Sequence, residues 1–318
     1  MSVVSIKNVA VLGLGTMGHG IAQTMAVAGS DVRCYDASAD MRDSAKTRMR
    51  ANLKQMAEAG LVDGGLTGAT LDRVTICDDE ATAVEGAEYV TEAVIEDLEL
   101  KKEIFARLDA LVPGETILAS NTSSYPITQI AERMQHKQRA LVTHWFNPPH
   151  VIPVVEVVPG EDTSDATADI AYDFLTRIGK VAVRVNKEIP GFLVNRVQIA
   201  MFREIWDLLD RGVASAEDID RAIQGSMGLR LAALGPLAIS DFAGWDVTAR
   251  VYQNLAPDVR SNAELPTCIR EMVEAGRIGA KSGAGVFEYP PDKIDQQIAE
   301  RDATYLGIAK LTRDEGVK

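Results

Sequence analysis

Side chains that can move a proton lie between Ser120 and Glu156. This stretch contains the run SNTSSYPITQI and, further on, the run THWFNPPHVIPVVEVV, so a hydroxyl-rich turn, a histidine and a glutamate each adjoin a short apolar run. Short apolar runs predict buried strands, and open α/β sheets bind their ligands at strand ends. A histidine as base, a carboxylate to orient it and a hydroxyl donor are enough to take a proton from a substrate.

The elements that must position these side chains alternate between strand and helix in the first half of the chain. Apolar runs predict strands at residues 9–12, 32–35, 89–94, 117–119, 141–143, 154–158 and 181–185. Amphipathic spacing predicts helices at residues 22–28, 39–59, 98–111 and 166–178. This α/β alternation predicts a Rossmann-like, doubly wound and mainly parallel sheet.

The pattern changes after Pro190-Gly191, where strand signals become rare. Helices are predicted at residues 192–211, 216–224, 237–255 and 266–274. We therefore expect a Rossmann-like domain at residues 1–188 and a smaller all-α domain at residues 189–318. The second domain is expected to supply a wall of the substrate pocket and the surface of a homodimer.

Composition restricts the class of partner. The chain has 318 residues and a formal net charge of −13, which argues against nucleic acid or an anionic membrane as the main partner. Its three cysteines are far apart, and neither they nor the remaining histidines have metal-ligand spacing, so no metal site is expected. With no signal peptide or long apolar run, we expect a cytoplasmic protein.

A glycine-rich turn predicts a dinucleotide site. The turn matches GxGxxG, follows the strand predicted at residues 9–12, opens a helix, and is followed by an acidic residue at the end of the next strand. The helix N-terminus would face the pyrophosphate, and the acidic side chain would bind the ribose hydroxyls and repel a 2′-phosphate, favouring NAD over NADP. FAD uses a similar fingerprint, but the proton-transfer set favours a nicotinamide. The cofactor contacts predicted here are Gly13, Gly15, Thr16, Met17, Gly18 and Asp36.

Several motifs in order resemble those of the 3-hydroxyacyl-CoA dehydrogenase family over nearly the whole chain. They are the glycine turn, the segment Ser120–Glu156, PGFLVNR at 190–196, EDID at 217–220, Gly235-Pro236 and KSGAGVF at 281–287. The resemblance implies a dehydrogenase that oxidises a 3-hydroxyl to a 3-oxo group with NAD. In this family the histidine of H-x-x-N-P is the base and a glutamate twelve residues later orients it, which implies His144 and Glu156.

The same resemblance assigns the other site residues. Ser123 and Asn195 are implied to hold the substrate oxygen, and further cofactor contacts fall on Glu96, Lys101, Asn121 and Asn147. Taken singly, each catalytic position has a plainer interpretation: a packed histidine, an ordinary strand carboxylate, a helix cap at Ser123, or a solvated helix residue at Asn195. The four positions together fit one mechanism.

Two departures from the fatty-acyl pattern concern the substrate. The histidine motif continues as Asn147-Pro148-Pro149 and leads to Ile152-Pro153, a form closer to the lambda-crystallin (gulonate dehydrogenase), carnitine and pyridine-alcohol dehydrogenase branch. The acyl-CoA enzymes tend to carry a lysine-rich helical hairpin that meets the CoA phosphates, whereas Lys54 is the only cation between residues 52 and 66 here. Both an acyl-CoA and a free hydroxy acid therefore stay open as substrates.

An arginine supports the free acid as a hypothesis. Arg230 precedes Gly235-Pro236, and a guanidinium can hold a carboxylate with two hydrogen bonds. A surface arginine or a salt bridge would explain the same residue.

Two other classes of protein remain as alternatives. The GLGxMG opening is similar to that of the β-hydroxyacid dehydrogenases, but those rely on a lysine early in a long helix, and the corresponding stretch GFLVNRVQIAMFREIW has none. A non-catalytic, structural NAD-binding protein is the third class.

Overall fold

A twisted eight-stranded sheet organises the first part of the chain. The computed structural model describes residues 6–314, with side chains described as far as Leu311. The strands are β1 (Asn8–Leu12), β2 (Asp31–Tyr35), β3 (Val74–Ile76), β4 (Tyr89–Glu92), β5 (Ile117–Ser120), β6 (Ala140–Trp145), β7 (Val154–Pro159) and β8 (Val181–Arg184). Their order is β3-β2-β1-β4-β5-β6-β7-β8, and every pair is parallel except β6 with β7. The predicted Rossmann-like, mainly parallel sheet is confirmed.

Helices cover both faces of this sheet. They are α1 (Gly18–Val27), α2 (Ala39–Glu58), α3 (Thr67–Asp72), α4 (Glu80–Val84), α5 (Leu98–Leu111), α6 (Ile127–Ile130) and α7 (Asp165–Arg177). Alternate residues of β1 enter two different cores: Val9 and Val11 pack in one, and Ala10 and Leu12 pack in the other. Because successive side chains of a strand point to opposite faces, a strand buried on both faces must be apolar throughout.

The remainder of the described chain is helical, which confirms the predicted class of the second domain. Its helices are α8 (Val194–Asp210), α9 (Ala216–Ala222), α10 (Leu229–Ala233), α11 (Pro236–Ala243), α12 (Trp245–Leu255), α13 (Thr267–Glu274) and α14 (Ile294–Asp314). A π-helical stretch, Ile223–Gly228, joins α9 to α10.

The described residues form two compact units. The first unit contains residues 6–196 together with Tyr305–Lys310, and the second unit contains residues 197–304 and 311–314. The C-terminal helix α14 thus contributes a segment to the first unit, where Leu306 packs with Met56 and Val151 in a small apolar cluster. The functional division at residues 188 and 189 stays a prediction.

One predicted element is wrong and others were missed. The single helix predicted at residues 237–255 is two helices, because Gly244 between them takes a backbone φ of 90° that a helix cannot contain. The short strand β3 and the long helix α14 were not predicted. No single helix within residues 6–314 is long and apolar enough to cross a membrane, although one pair, Ala216–Ala233 with Pro236–Ala243, reaches that length and composition across a 96° bend.

Candidate active site and cofactor cavity

A buried histidine–glutamate pair lies where β6 meets β7. The antiparallel register sets His144 directly opposite Glu156, and Nδ1 of the imidazole lies 2.7 Å from Oε2 of the carboxylate. His144 is 4% exposed and Glu156 is fully buried. The rings of Phe146 and Phe192 flank the imidazole at centroid distances of 4.5 and 5.6 Å. The pairing of two strands, rather than a flexible loop, fixes this geometry.

The second oxygen of Glu156 is also occupied. Oε1 accepts hydrogen bonds from the backbone N–H groups of Leu193 (3.0 Å) and Val194 (2.8 Å), where α8 begins. The positive end of the helix and two N–H donors complement a negative carboxylate. Because an ionised carboxylate only accepts hydrogen bonds, Nδ1 of neutral His144 must donate, which leaves Nε2 unprotonated and able to act as a base.

A left-handed turn brings the start of α8 to this carboxylate. Gly191 has φ 74° and Phe192 has φ 47°, and the Phe192 side chain is fully buried. A positive φ at a bulky residue is rare and is kept only where its surroundings enforce it. Asn195 follows in the first turn of α8. The same short segment therefore carries the N–H donors to Glu156 and the predicted substrate-binding amide.

The hydroxyl-rich turn after β5 is built around Glu96. Its Oε1 accepts hydrogen bonds from Thr122 Oγ1 (2.6 Å), Ser123 N (3.2 Å) and Ser124 N (3.1 Å). Ser123 does not cap α6, since Pro126 occupies the cap position without a side-chain hydrogen bond. Ser123 instead lines a cavity at the C-terminal ends of β1 and β4.

A buried ion-pair network supports Glu96. Lys101 is 1% exposed and lies 2.7 Å from Glu92 Oε1 and 3.3 Å from Glu96 Oε2, while Ser120 Oγ donates to Glu92 Oε2 at 2.6 Å. Burial raises the pKa of Glu96, but the hydrogen bond from Thr122 and the charge of Lys101 outweigh it and hold the pKa below its usual value. Sequence reasoning missed Glu92, although a carboxylate ending an apolar strand was its signal.

A cavity of about 950 Å³ opens at the C-terminal ends of β1 and β4, where the strand order reverses. Its walls include Gly13, Gly15, Thr16, Met17, Asp36, Glu96, Asn121 and Ser123. The glycines fit a dinucleotide: Gly13 takes φ 91°, a Cβ at Gly18 would lie 1.7 Å from the Gly13 carbonyl oxygen, and the Cβ position of Gly15 is open. The residues present therefore fit NAD.

Asp36, the predicted ribose-binding residue, lines this cavity. Its Oδ2 accepts from Leu14 N at 2.6 Å and its Oδ1 accepts from Ser38 N at 2.8 Å. Arg48, which sequence reasoning missed, donates from α2 to the carbonyl oxygens of Leu14 (2.8 Å) and Gly15 (3.2 Å) and so fixes the glycine turn from behind.

The other predicted residues occupy different positions. Lys101 lies behind Glu96, Asn121 Oδ1 accepts from Trp145 N at 2.9 Å, and Asn147 is exposed after β6. Arg230 belongs to the second unit, where it is exposed and its guanidinium contacts Ser226 at 3.3 and 3.4 Å. Within residues 6–314, no group of three or more His, Cys, Asp or Glu side chains could hold a metal ion.

Two family models match the chain consecutively. The NAD-binding domain of 3-hydroxyacyl-CoA dehydrogenase matches residues 8–189, and the C-terminal domain of the same enzyme matches residues 191–289. The chain belongs to the 3-hydroxyacyl-CoA dehydrogenase family. As a member of this family it is an NAD-dependent oxidoreductase that acts on CH–OH groups.

Relatives with different substrates are similar over most of their lengths. The chain is 35% identical to 5-formyl-3-hydroxy-2-methylpyridine 4-carboxylate 5-dehydrogenase of Mesorhizobium japonicum, covering 96% of this chain and 98% of that protein. It is 38% identical to a probable 3-hydroxybutyryl-CoA dehydrogenase of Bacillus subtilis (89% and 98%). It is 33% identical to L-carnitine dehydrogenase of Streptomyces griseus (96% and 90%), in line with the expected branch.

A solved structure resembles the whole chain. The crystal structure of an NAD⁺-dependent 5-formyl-3-hydroxy-2-methylpyridine 4-carboxylic acid 5-dehydrogenase has a TM-score of 0.90 and 35% identity, covering 99% of this chain and 100% of that one. The 3-hydroxybutyryl-CoA dehydrogenase of Escherichia coli has a TM-score of 0.75, covering 90% of this chain and 60% of that one.

Proposed function

We propose that this enzyme oxidises the secondary alcohol of a small, free hydroxy carboxylate to a ketone, with His144 as the base. The observation that carries the proposal is the buried pair in which Glu156 accepts a hydrogen bond from Nδ1 of His144 and leaves Nε2 available. Histidine is the side chain most often used as a general base in enzymes.

The roles of the side chains follow from this base. His144 Nε2 takes the hydroxyl proton, Glu156 stabilises the resulting imidazolium, and Ser123 and Asn195 hold the alcohol oxygen. NAD, when bound, accepts the hydride that leaves the carbinol carbon. Glu96, Asn121 and Asn147 would orient the nicotinamide end, Lys101 holds Glu96 in place, and the turn from Gly13 to Gly18 would hold the pyrophosphate.

Replacing the base tests the reaction. We expect His144→Gln to lower kcat for alcohol oxidation by about 10²–10⁴-fold while leaving NADH affinity and thermal unfolding close to wild type. Steady-state kinetics and NADH titration measure both quantities. Nearly full turnover in a folded His144→Gln protein would remove His144 from the mechanism.

Charge and packing after β2 favour the free acid over the thioester. Lys54 on α2 lies 3.8 Å from Glu58, and both side chains are exposed. Leu306 of α14 covers Met56, and Lys310 lies beside Gly60. Two acidic residues of the same region, Glu58 and Asp63, offset the charges of Lys54 and Lys310, so there is little net positive charge for the phosphates of CoA.

A substrate panel separates the two classes. We expect kcat/KM for one of gulonate, carnitine, 3-hydroxybutyrate or a pyridine-ring alcohol to exceed that for 3-hydroxybutyryl-CoA by at least about tenfold. A preference for the thioester would reverse the substrate assignment and leave the dehydrogenase chemistry intact.

Arg230 is the candidate for binding the substrate carboxylate. A guanidinium can form two parallel hydrogen bonds to a carboxylate, and in this chain it is held only by Ser226 among the contacts described. Arg230→Ala should raise KM for the best carboxylate by about tenfold or more at similar kcat. An unchanged KM would exclude Arg230 from the substrate site.

We also propose a cytoplasmic homodimer formed through the second unit. Large apolar side chains there are strongly exposed, including Phe242 (83%), Leu237 and Tyr252 (both 72%) and Leu229 (70%). An apolar surface of this extent is unusual for a monomer and is typical of a permanent interface.

A further inference from the structure

One buried lysine has no part in the mechanism above. Lys180 immediately precedes β8 and is 7% exposed. Its ammonium donates hydrogen bonds to the backbone carbonyl oxygens of Pro149 (2.6 Å) and Ile152 (2.9 Å) and lies 4.9 Å from the centre of the Trp145 ring. Burying a charged group this deeply costs free energy unless hydrogen bonds or an opposite charge offset the loss of hydration.

Lys180 lacks the partner that buried lysines usually have. Among the residues that the structure describes, no carboxylate oxygen lies within 4.0 Å of its ammonium, whereas Lys101 meets Glu92 and Glu96. Burial lowers the pKa of Lys180 to about 7. A methionine or leucine would fill the same space without this electrostatic cost, so neither packing nor charge pairing explains a lysine at this position.

The carbonyl groups that Lys180 holds belong to one loop. Residues 146–153, the β6–β7 loop, run from the strand of His144 to the strand of Glu156 and include Asn147, a predicted cofactor contact. Two hydrogen bonds connect Lys180 to this loop, and a cation–π contact connects it to Trp145, the residue after the base.

The same loop also packs against α1, the helix that follows the glycine turn. A Cβ at Gly20 of α1 would lie 2.7 Å from Pro149 Cγ and 3.2 Å from His150 Nδ1, so only a glycine allows the loop to pack so closely there. The same helix begins at Gly18, in the turn that lines the NAD cavity. The β6–β7 loop is therefore packed between Lys180 and α1.

We propose that Lys180 is a positioning residue that holds the β6–β7 loop against α1, and thereby sets the base and Asn147 relative to the bound dinucleotide. Lys180 touches neither substrate nor cofactor and acts through the carbonyl groups of Pro149 and Ile152. A lysine suits this role because a single ammonium can donate to two carbonyl oxygens and can also face an aromatic ring. Cofactor affinity therefore depends on Lys180 whichever hydroxy acid is the substrate.

Lys180→Met tests the proposal because it keeps the apolar stem and removes all donors. We expect the dissociation constant for NADH, measured well below the unfolding temperature, to rise by about tenfold, the factor that corresponds to the loss of one or two hydrogen bonds. Lys180→Gln retains two N–H donors and should fall between Lys180→Met and wild type. The matched control is Lys187→Met at an exposed lysine, which should bind NADH as wild type does.

A second variant moves the loop from its other side. Gly20→Ala should displace Pro149 from α1 while leaving Lys180 intact, and should weaken NADH binding by a similar factor. If Lys180→Met does not fold, Gly20→Ala serves as the test in its place. The proposal is wrong if folded Lys180→Met binds NADH within about twofold of wild type. If Lys180→Met does not fold, the same result for Gly20→Ala would overturn it. NADH binding needs no substrate, so a failure of the proposed hydroxy-acid activity would not affect this result.

Discussion

Glu156 uses both of its oxygens as hydrogen-bond acceptors, a pattern that a glutamine could not reproduce. One oxygen accepts a hydrogen bond from the histidine ring, and the other accepts hydrogen bonds from two backbone N–H groups where α8 begins. A glutamine would have to direct its NH₂ group towards one of these donors, leaving a buried polar contact unsatisfied.

We therefore expect Glu156→Gln to lower kcat by about 10²–10⁴-fold and to lower the unfolding temperature. Steady-state kinetics and thermal unfolding measure the two effects. Glu188→Gln is the matched control, because Glu188 accepts hydrogen bonds from Thr128 (Oγ1 2.6 Å, N 3.3 Å) outside the pair, and its kcat should stay near wild type. Equal losses in both variants would contradict a special role for Glu156.

The burial of Lys180 predicts a pH dependence of stability. Its pKa falls from 10.5 to about 7 on folding, so the unfolded chain binds more protons than the folded chain between these values. Stability contributed by this group therefore rises with pH across that window and is constant below it. Relative to Lys180→Met, the wild-type protein should gain unfolding free energy as the pH is raised above about 7.

Urea unfolding of both proteins at several pH values across the window measures this difference, with Lys187→Met as the reference for an exposed lysine. A constant difference between wild type and Lys180→Met at all pH values would show that Lys180 titrates normally in the folded protein.

At the residue scale, the sequence predicted the side chains that belong to contiguous motifs. The glycine turn and Asp36 form a motif whose chemistry follows from its context, whereas the roles predicted for His144 and Glu156 came from the family resemblance. Glu92, Arg48 and Lys180 could not be predicted in this way, because each acts on a segment distant in sequence and its role appears only when the chain is folded.

The turn that begins α8 is the element on which the pair depends. Gly191 has φ 74°, a conformation that costs an L-residue about 1–2 kcal/mol. Gly191→Ala should lower stability by about this amount and also lower kcat, because Leu193 and Val194 would shift away from Glu156.

Gly212→Ala provides the matched control for this element. Gly212 has φ 63°, follows the C-terminus of α8, and has open space at its Cβ position. Both alanine variants should lose similar stability in thermal unfolding, and only Gly191→Ala should lose turnover. A normal kcat in Gly191→Ala would separate the turn from catalysis.

At the scale of elements, hydrophobic periodicity identified most of the sheet and its long helices. It failed where one backbone conformation overrides a continuous pattern, as at Gly244 between α11 and α12. It also missed β3, whose three residues are too few to establish alternation.

The apolar surface of the second unit determines the predicted oligomeric state. A groove of about 670 Å³ runs along α11 and α12 and is lined by apolar residues such as Ile239, Val251 and Leu255. We expect a dimer by light scattering at micromolar concentration, and Val251→Asp should convert it to a monomer or destabilise it, because a charge cannot be buried there without a partner. A monomeric wild-type protein would exclude the interface.

The structural class of each part of the molecule could be predicted from the sequence, but the packing of the C-terminal helix on the first unit could not. Motif order gave a Rossmann-like domain before a helical one, and both are present. The return of Tyr305–Lys310 to the first unit could not be anticipated, because the apolar residues of α14 do not form one marked stripe and their packing partners, Met56 and Val151, are far away in sequence.

That return of α14 means that the nucleotide-binding part of the chain cannot be excised at a single boundary. A fragment that stops at residue 196 would lack Leu306 and leave Met56 and Val151 uncovered. A detached peptide containing Tyr305–Lys310 would be the missing piece of that fragment. The chain could therefore be divided into two fragments, and recovery of NADH binding on mixing them would report their reassembly.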